Sequence, residues 1–151
     1  MNIFDYYFMK KAIKQAEIAY QMNEVPIGCV IVKNNEIIAT GFNKKEKTKK
    51  GIMHAEIDAI LKASKIIGDW RLYNTTLYVT CEPCVMCAGA IIHHRVKKVV
   101  FGIKEPKFGG VVSNIRVFDI PFNHKVKYSF GLLEKEISAL LKSFFDKKRK
   151  K

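Results

Sequence analysis

The spacing of apolar positions predicts helices at both ends of the chain and two more between them. The first and last segments repeat apolar residues every three or four positions, the spacing of a helix packed on one side. These two stripes consist of Met9, Ile13, Ala16 and Tyr20, and of Leu133, Ile137, Leu140, Leu141 and Phe144. A third helix is predicted to begin near His54. A fourth should run from Cys84 to about His93, because Pro83 suits the start of a helix.

Four runs of apolar and β-branched residues predict strands. They are Ile27–Val32, Glu36–Gly41, Thr75–Thr80 and the sequence KKVVFG at 97–102. The first two flank Asn34-Asn35, and asparagine tolerates the positive φ angles of a hairpin turn. Helices therefore alternate with central strands. This order predicts an α/β fold, a three-layer α/β/α sandwich around a mixed sheet of about five strands.

The length and composition predict one domain over residues 1–151, with a basic tail at about 146–151. An apolar fraction of 48% excludes a disordered chain. No apolar run reaches the roughly 20 residues that span a bilayer, and the N-terminal charges do not resemble a secretory signal. We therefore expect a cytoplasmic protein. In a reducing compartment, four cysteines of which three are clustered suggest metal binding or catalysis rather than disulfides.

The formal net charge of +13 has two interpretations. One is a polyanionic partner, with nucleic acid the first candidate. The other is compositional drift, because lysines greatly outnumber arginines, as an A+T-rich genome would produce. The candidate phosphate contacts are Lys44, Lys45, Lys47, Lys49 and Lys50, then Lys104 and Lys107, and finally Lys147, Lys148, Arg149 and Lys150. Charge alone leaves both interpretations open.

Cys81, Cys84 and Cys87 stand three residues apart and allow three metal arrangements. An iron–sulfur run would need a fourth cysteine four residues on, where Ile91 stands. A structural zinc site would need four closed ligands, and Cys29 has no partner near it in the sequence. Cys29 and Cys81 both fit buried strand positions, where free cysteine is common.

The third arrangement joins Cys84 and Cys87 with His54. Cysteines at i and i+3 in the first turn of a helix share one face, and the helix N-terminus helps to stabilise thiolates. Three protein ligands leave a fourth zinc position for water, as in catalytic sites. Glu56 could then carry protons. Positions i and i+2 of a regular helix point about 200° apart, so His54 and Glu56 converge only if His54 precedes the regular turns.

The motifs H-A-E at 54–56 and P-C-V-M-C at 83–87 match the H-x-E and P-C-x-x-C signature of zinc deaminases. Longer stretches, among them EVPIGCVIV, WRLYNTTLYVTCEPCVMCAGAIIHH, NHKV and the C-terminal LLEKEISALLKSFFDKKRKK, resemble the bacterial tRNA-specific adenosine deaminases over nearly the whole chain. The short motif pair is shared with cytidine, deoxycytidylate and guanine deaminases.

This resemblance implies a homodimeric enzyme that converts the wobble adenosine of a tRNA anticodon, that of an arginine tRNA, to inosine and releases ammonia. It implies one Zn²⁺ per subunit on His54, Cys84 and Cys87, with Glu56 as the proton shuttle. The implied or candidate substrate contacts are Val25 and Pro26 lining the base pocket, Asn43 on the base, Ala55 through its backbone, Glu105 in place of a common Asp, Lys107 on phosphate, and Phe145 beside the nucleotide.

Two other functions remain compatible with the motifs. A free-base or nucleotide deaminase acting on guanine, cytosine or deoxycytidylate would share the zinc chemistry and need a pocket closed to polymers. A non-catalytic RNA-binding module would hold a structural zinc with a fourth protein ligand. His93 and His94 are poor candidates for that ligand, because they lie about two turns beyond Cys87 and suit the end of the helix.

Overall fold

The computed structural model describes residues 1–150, and Lys151 lies outside the described part. The helices are α1 (Ile3–Gln21), α2 (Lys45–Thr48), α3 (Ala55–Ile67), α4 (Val85–His93) and α5 (Glu134–Arg149). The strands are β1 (Gly28–Lys33), β2 (Glu36–Phe42), β3 (Thr75–Cys81), β4 (Lys98–Ile103) and β5 (Lys127–Phe130). A 3₁₀ turn covers Val117–Asp119.

The five strands form one mixed sheet in the order β2-β1-β3-β4-β5. Strand β1 is antiparallel to β2 and β3, whereas β3, β4 and β5 run parallel. Helices α1 and α5 pack on one face, and α3 and α4 on the other. The predicted three-layer α/β/α sandwich is therefore confirmed. Strand β5 was not located from the sequence, because its four residues are at most half-buried and show no clear alternation.

Local signals explain where the elements begin and turn. Asn2 and Asp5 form a reciprocal capping box that starts α1. The hairpin between β1 and β2 turns at Asn34 and Asn35, whose φ angles are 52° and 61°. Helix α5 continues to Arg149, so the basic segment predicted as a tail from about residue 146 is helical over 146–149.

The core consists of two apolar clusters, one on each face of the sheet. Cys29 belongs to the cluster beneath α3 and α4, and Cys81 to the cluster beneath α1 and α5. Both thiols are free and buried, as core positions require. Within residues 1–150, no helix has the combined length and apolar character needed to cross a membrane.

A glycine in β2 sets the distance between the sheet and α3. A Cβ added at Gly41 would lie 2.4 Å from the carbonyl oxygen of Ala55 and 2.6 Å from the amide nitrogen of Ala59. Only a residue without a side chain fits this contact. The close packing brings the first turn of α3, with His54 and Glu56, down onto the end of the sheet.

Candidate active site

His54 and Cys84 each occupy the N-cap of a helix on the same face of the sheet. Both have extended backbone angles, and neither side chain caps its own helix. Cys87 follows in the first turn of α4. The Nδ1 atom of His54 lies 3.6 Å from the Sγ atoms of both Cys84 and Cys87. The fold therefore brings His54 to two cysteines that lie 30 and 33 positions further along the chain.

The distances among these three side chains fit a tetrahedral zinc ion. With Zn–S bonds of about 2.3 Å and a Zn–N bond of about 2.0–2.1 Å, tetrahedral angles place nitrogen and sulfur about 3.5–3.6 Å apart. The three ligand atoms lie within 4.8 Å of one another, and no other such cluster of His, Cys, Asp and Glu occurs in residues 1–150. Cys29 and Cys81 are not part of it. The cluster could therefore hold a metal ion with three protein ligands.

The Cys84 sulfur is prepared to act as a thiolate. A hydrogen bond from the Cys87 thiol and another from His54 lower the pKa of Cys84 to about 4, against the opposing effect of burial. A metal ligand must be deprotonated, so this environment favours ion binding.

Glu56 is the second residue of α3 and is only 4% exposed. His54 is the N-cap and not part of the regular helix, which is the condition under which it can lie near Glu56, and the Glu56 carboxyl group interacts with both His54 and Cys87. Burial raises the pKa of Glu56 to about 7, although its own backbone N–H, His54 and Cys87 act in the opposite direction. A carboxyl group with this pKa can both accept and release a proton near neutral pH.

The predicted base-pocket residues lie where β1 and β2 meet the loop before α2. Asn43 is buried, donates a hydrogen bond from Nδ2 to the Val25 carbonyl (3.3 Å) and accepts one at Oδ1 from the Lys45 N–H (3.2 Å). Pro26 is buried and Val25 half-buried. In the free protein, Asn43 therefore fastens two segments together.

The other predicted contacts are more dispersed. Ala55 is fully buried as the first residue of α3. Glu105 is half-buried and accepts a hydrogen bond from the N–H of exposed Lys107 (2.9 Å). Phe145 is exposed on α5, in the layer opposite α3 and α4, with its ring edge against Phe144.

Two buried glutamates were missed by the sequence reasoning. Glu24 accepts hydrogen bonds from the N–H groups of Glu46 (2.9 Å) and Lys47 (2.7 Å), and so holds the first turn of α2 within the lysine-rich loop, residues 44–50. Glu82, between Cys81 and Pro83, is 4% exposed. Each of these glutamates stands close to a proline, between two apolar segments of the sequence. A charged residue at such a place needs hydrogen-bond partners if it is buried, and this was the signal available in the sequence.

The Glu82 carboxylate accepts hydrogen bonds from both ends of one loop. The Glu105 N–H (3.0 Å) binds at one end, and the N–H groups of Val111 (3.1 Å), Val112 (2.8 Å) and Ser113 (3.0 Å) at the other, with the Ser113 hydroxyl as a fifth donor. Burial alone would raise the pKa of Glu82, but the Ser113 hydroxyl and these N–H groups outweigh it and lower the pKa. The loop between β4 and the 3₁₀ turn is therefore tied to the strand end that leads to Cys84.

The lysine-rich loop includes α2 and divides into a half-buried anchor, Lys44, and an exposed part. Lys44 pairs with buried Asp58 (2.9 Å) and lies over the Phe42 ring, 4.6 Å from its centroid. The other lysines of this loop, Lys45, Lys47, Lys49 and Lys50, are exposed. Lys44 is thus engaged within the protein, unlike its neighbours.

Comparison with known proteins identifies the class and then the family. The family model of the MafB19-like deaminases matches residues 3–149, which makes the protein a deaminase. A tRNA-specific adenosine deaminase of Bacillus subtilis is 48% identical over 97% of this chain and 92% of its own length. One from Streptococcus pyogenes serotype M1 is 47% identical over 96% of this chain and 85% of its own length.

A solved structure supports the same assignment. It comes from biochemical and structural studies of A-to-I editing by tRNA:A34 deaminases at the wobble position of transfer RNA. It matches with a TM-score of 0.86 and 38% identity, over 89% of this chain and 98% of the other. The chain belongs to the tRNA-specific adenosine deaminase family, whose members are enzymes.

Proposed function

We propose that this enzyme hydrolyses adenosine to inosine at the wobble position of a tRNA anticodon, that of an arginine tRNA, and releases ammonia. The observation that carries the proposal is the three-ligand cluster of His54, Cys84 and Cys87 with buried Glu56 beside it. The similar structure from studies of wobble-position editing supports the choice of substrate.

His54, Cys84 and Cys87 would hold one Zn²⁺ per subunit. Two sulfurs and one imidazole nitrogen suit zinc, and their spacing fits its tetrahedral geometry. When bound by three protein ligands, zinc keeps one position for water and lowers the pKa of that water from roughly 15.7 to about 7.

Glu56 moves the protons of the reaction. It accepts a proton from the attacking water and delivers it to N1 of adenine, which makes C6 more electrophilic. It then carries the second proton of that water to the amino group, which leaves as ammonia while C6 becomes the carbonyl of inosine. Its pKa of about 7 lets one group do both tasks at neutral pH.

The residues around the cluster would bind the extruded adenosine and its RNA. Val25 and Pro26 would line the base pocket, with Asn43 and the Ala55 backbone on the base. Glu105, Lys107 and Phe145 would contact the flanking nucleotides. The Asn43 amide uses one N–H on the Val25 carbonyl and one lone pair on the Lys45 N–H, so a second N–H and a second lone pair would be left for the base.

The proposal also covers the setting of the reaction. Residues 1–151 would form one catalytic domain that acts as a homodimer in the cytoplasm. Sedimentation equilibrium of the zinc-loaded protein tests the dimer, and a mass of one chain across the concentration range would contradict it.

A substrate panel tests the reaction itself. We expect ammonia from an arginine-tRNA anticodon stem-loop, with inosine at the wobble base, and none from guanine, cytosine or deoxycytidylate. Ammonia from a free base or nucleotide instead would favour the alternative deaminase activity.

A Glu56→Gln variant supplies the control for that panel. It keeps the size of the side chain but cannot shuttle protons, so we expect kcat to fall about 10²–10⁴-fold while the zinc content stays at one ion per chain. A near-normal rate in the zinc-loaded variant would remove Glu56 from the mechanism.

A further inference from the structure

The loop of residues 104–113 is fixed at both ends but exposes its tip. The backbone N–H of Glu105 at one end and those of residues 111–113 at the other all donate hydrogen bonds to the buried carboxylate of Glu82. The Gly109 N–H also donates to the Glu105 carbonyl (2.9 Å) and closes the turn between them. The residues at the tip are therefore presented by a loop whose backbone is already ordered.

Two glycines hold this loop against the start of α4. A Cβ at Gly109 would lie 2.5 Å from the Glu82 carboxylate, and one at Gly110 would lie 2.7 Å from the amide nitrogen of Val85. The Gly110 N–H donates to the Pro83 carbonyl (2.8 Å). Val85 directly follows Cys84, so the loop tip lies beside the helix turn that carries the cysteines of the metal site.

Phe108 is at this tip, between Lys107 and Gly109. Its side chain is 71% exposed, more than any other aromatic side chain in residues 1–150. Lys104 and Lys107, on the same loop, are exposed cations. An exposed aromatic ring on an ordered loop with cationic neighbours has the chemistry that recognises unpaired nucleotides, because bases stack on the ring while lysines bind phosphate.

We propose that Phe108 binds the RNA by stacking its ring on an unpaired base next to the reacting adenosine. This rests on the proposed function, because a base next to the reacting adenosine is present only if the substrate is RNA. The role is binding and positioning, not proton transfer. Since Glu82 has already ordered the loop, little conformational entropy is lost when the ring meets a base.

The test measures stem-loop affinity and turnover for Phe108→Ala and Phe108→Trp. Phe122→Ala is the matched control, since Phe122 is also an exposed phenylalanine, at 53%. We expect Phe108→Ala to raise Kd and KM about 5- to 150-fold, the range for losing one stacked base, with little change in kcat. Phe108→Trp should restore affinity, and Phe122→Ala should leave it unchanged.

Abasic RNA identifies the base that is stacked. Two RNAs are compared: one lacks the base on the 5′ side of the reacting adenosine, and the other lacks the base on its 3′ side. Wild-type protein should bind one of these RNAs more weakly, by the same factor as the Phe108→Ala substitution. The combined RNA and protein change should then cost no more than either alone.

Three outcomes would overturn the inference: unchanged affinity in Phe108→Ala, no rescue by tryptophan, or an altered sedimentation mass, which would assign Phe108 to a contact between copies of the chain. These outcomes differ from a failure of the proposed function, which would appear as wild-type protein that releases no ammonia from the stem-loop.

Discussion

The four cysteines occupy two kinds of position, and their surroundings determine their chemistry. Cys29 and Cys81 lie on strands, where burial raises the pKa of Cys29 well above its ordinary value and that of Cys81 to about 12. Both thiols stay protonated, and neither belongs to the cluster with His54. At the N-terminus of α4, the pKa of Cys84 is lowered, whereas the pKa of Cys87 is raised because its thiol donates a hydrogen bond to the Cys84 sulfur. Both of these sulfurs lie 3.6 Å from the Nδ1 atom of His54. The position of each cysteine in the fold therefore distinguishes the two candidate metal ligands from the two core cysteines.

Metal content should distinguish these two kinds of cysteine. Cys87→Ala removes one of the three protein ligands, so we expect the zinc content to fall from one ion per chain to nearly none. Cys29→Ala makes the same chemical change in the core and should keep the full zinc content with some loss of stability. Elemental analysis of purified, dialysed protein measures both. Equal zinc loss in the two variants, with both folded by circular dichroism, would contradict this ligand set.

At the scale of elements, buried carboxylates hold the loops that surround the site. Glu24 fixes the start of the lysine-rich loop, and Glu82 fixes the loop of residues 104–113. Each carboxylate satisfies N–H groups that no strand or helix would pair, which offsets the cost of its burial. These loops are therefore ordered before any RNA arrives.

Replacing the Glu82 carboxylate should loosen its loop. In Glu82→Gln, an amide NH₂ group would face backbone N–H donors, so at least one buried group loses its hydrogen bond. We therefore expect hydrogen exchange of the backbone amides at 105 and 111–113 to accelerate about 5- to 150-fold, the factor that corresponds to the free-energy cost of one unsatisfied buried group. Hydrogen–deuterium exchange with mass spectrometry measures this. Glu36→Gln, at an exposed site on β2, is the control. Exchange as slow as in the wild type would show that the loop is held by other contacts.

The elements that could be predicted from the sequence are those with local signals. The α1 stripe, the Asn34-Asn35 turn and the starts of α3 and α4 all follow from neighbouring residues. Strand β5 and the short α2 could not be located, since four-residue segments show too little periodicity. The motifs suggested the metal cluster, but Glu82 was missed because its partners lie 23 to 31 positions along the chain.

At the scale of the whole molecule, not every positively charged side chain is available to a partner. Lys44 is neutralised by Asp58, and Lys142 and Arg149 both pair with Asp146. The exposed lysines of the 44–50 loop follow Asn43, a proposed contact to the base. Charge near the base pocket would guide a polyanion to the site, whereas charge elsewhere would only raise nonspecific affinity.

The salt dependence of stem-loop binding should therefore depend on where lysines are removed. Replacing Lys45, Lys47 and Lys50 by glutamine should reduce the slope of log Kd against log salt by about 2, since each phosphate contact on single-stranded nucleic acid contributes about 0.7. Fluorescence anisotropy over a KCl series measures the slope. Replacing Lys10, Lys14 and Lys135 removes the same charge from α1 and α5 and should leave the slope unchanged. Equal reductions in both triple variants would mean that the RNA responds to net charge, and the lysine-rich loop would lose its assigned role.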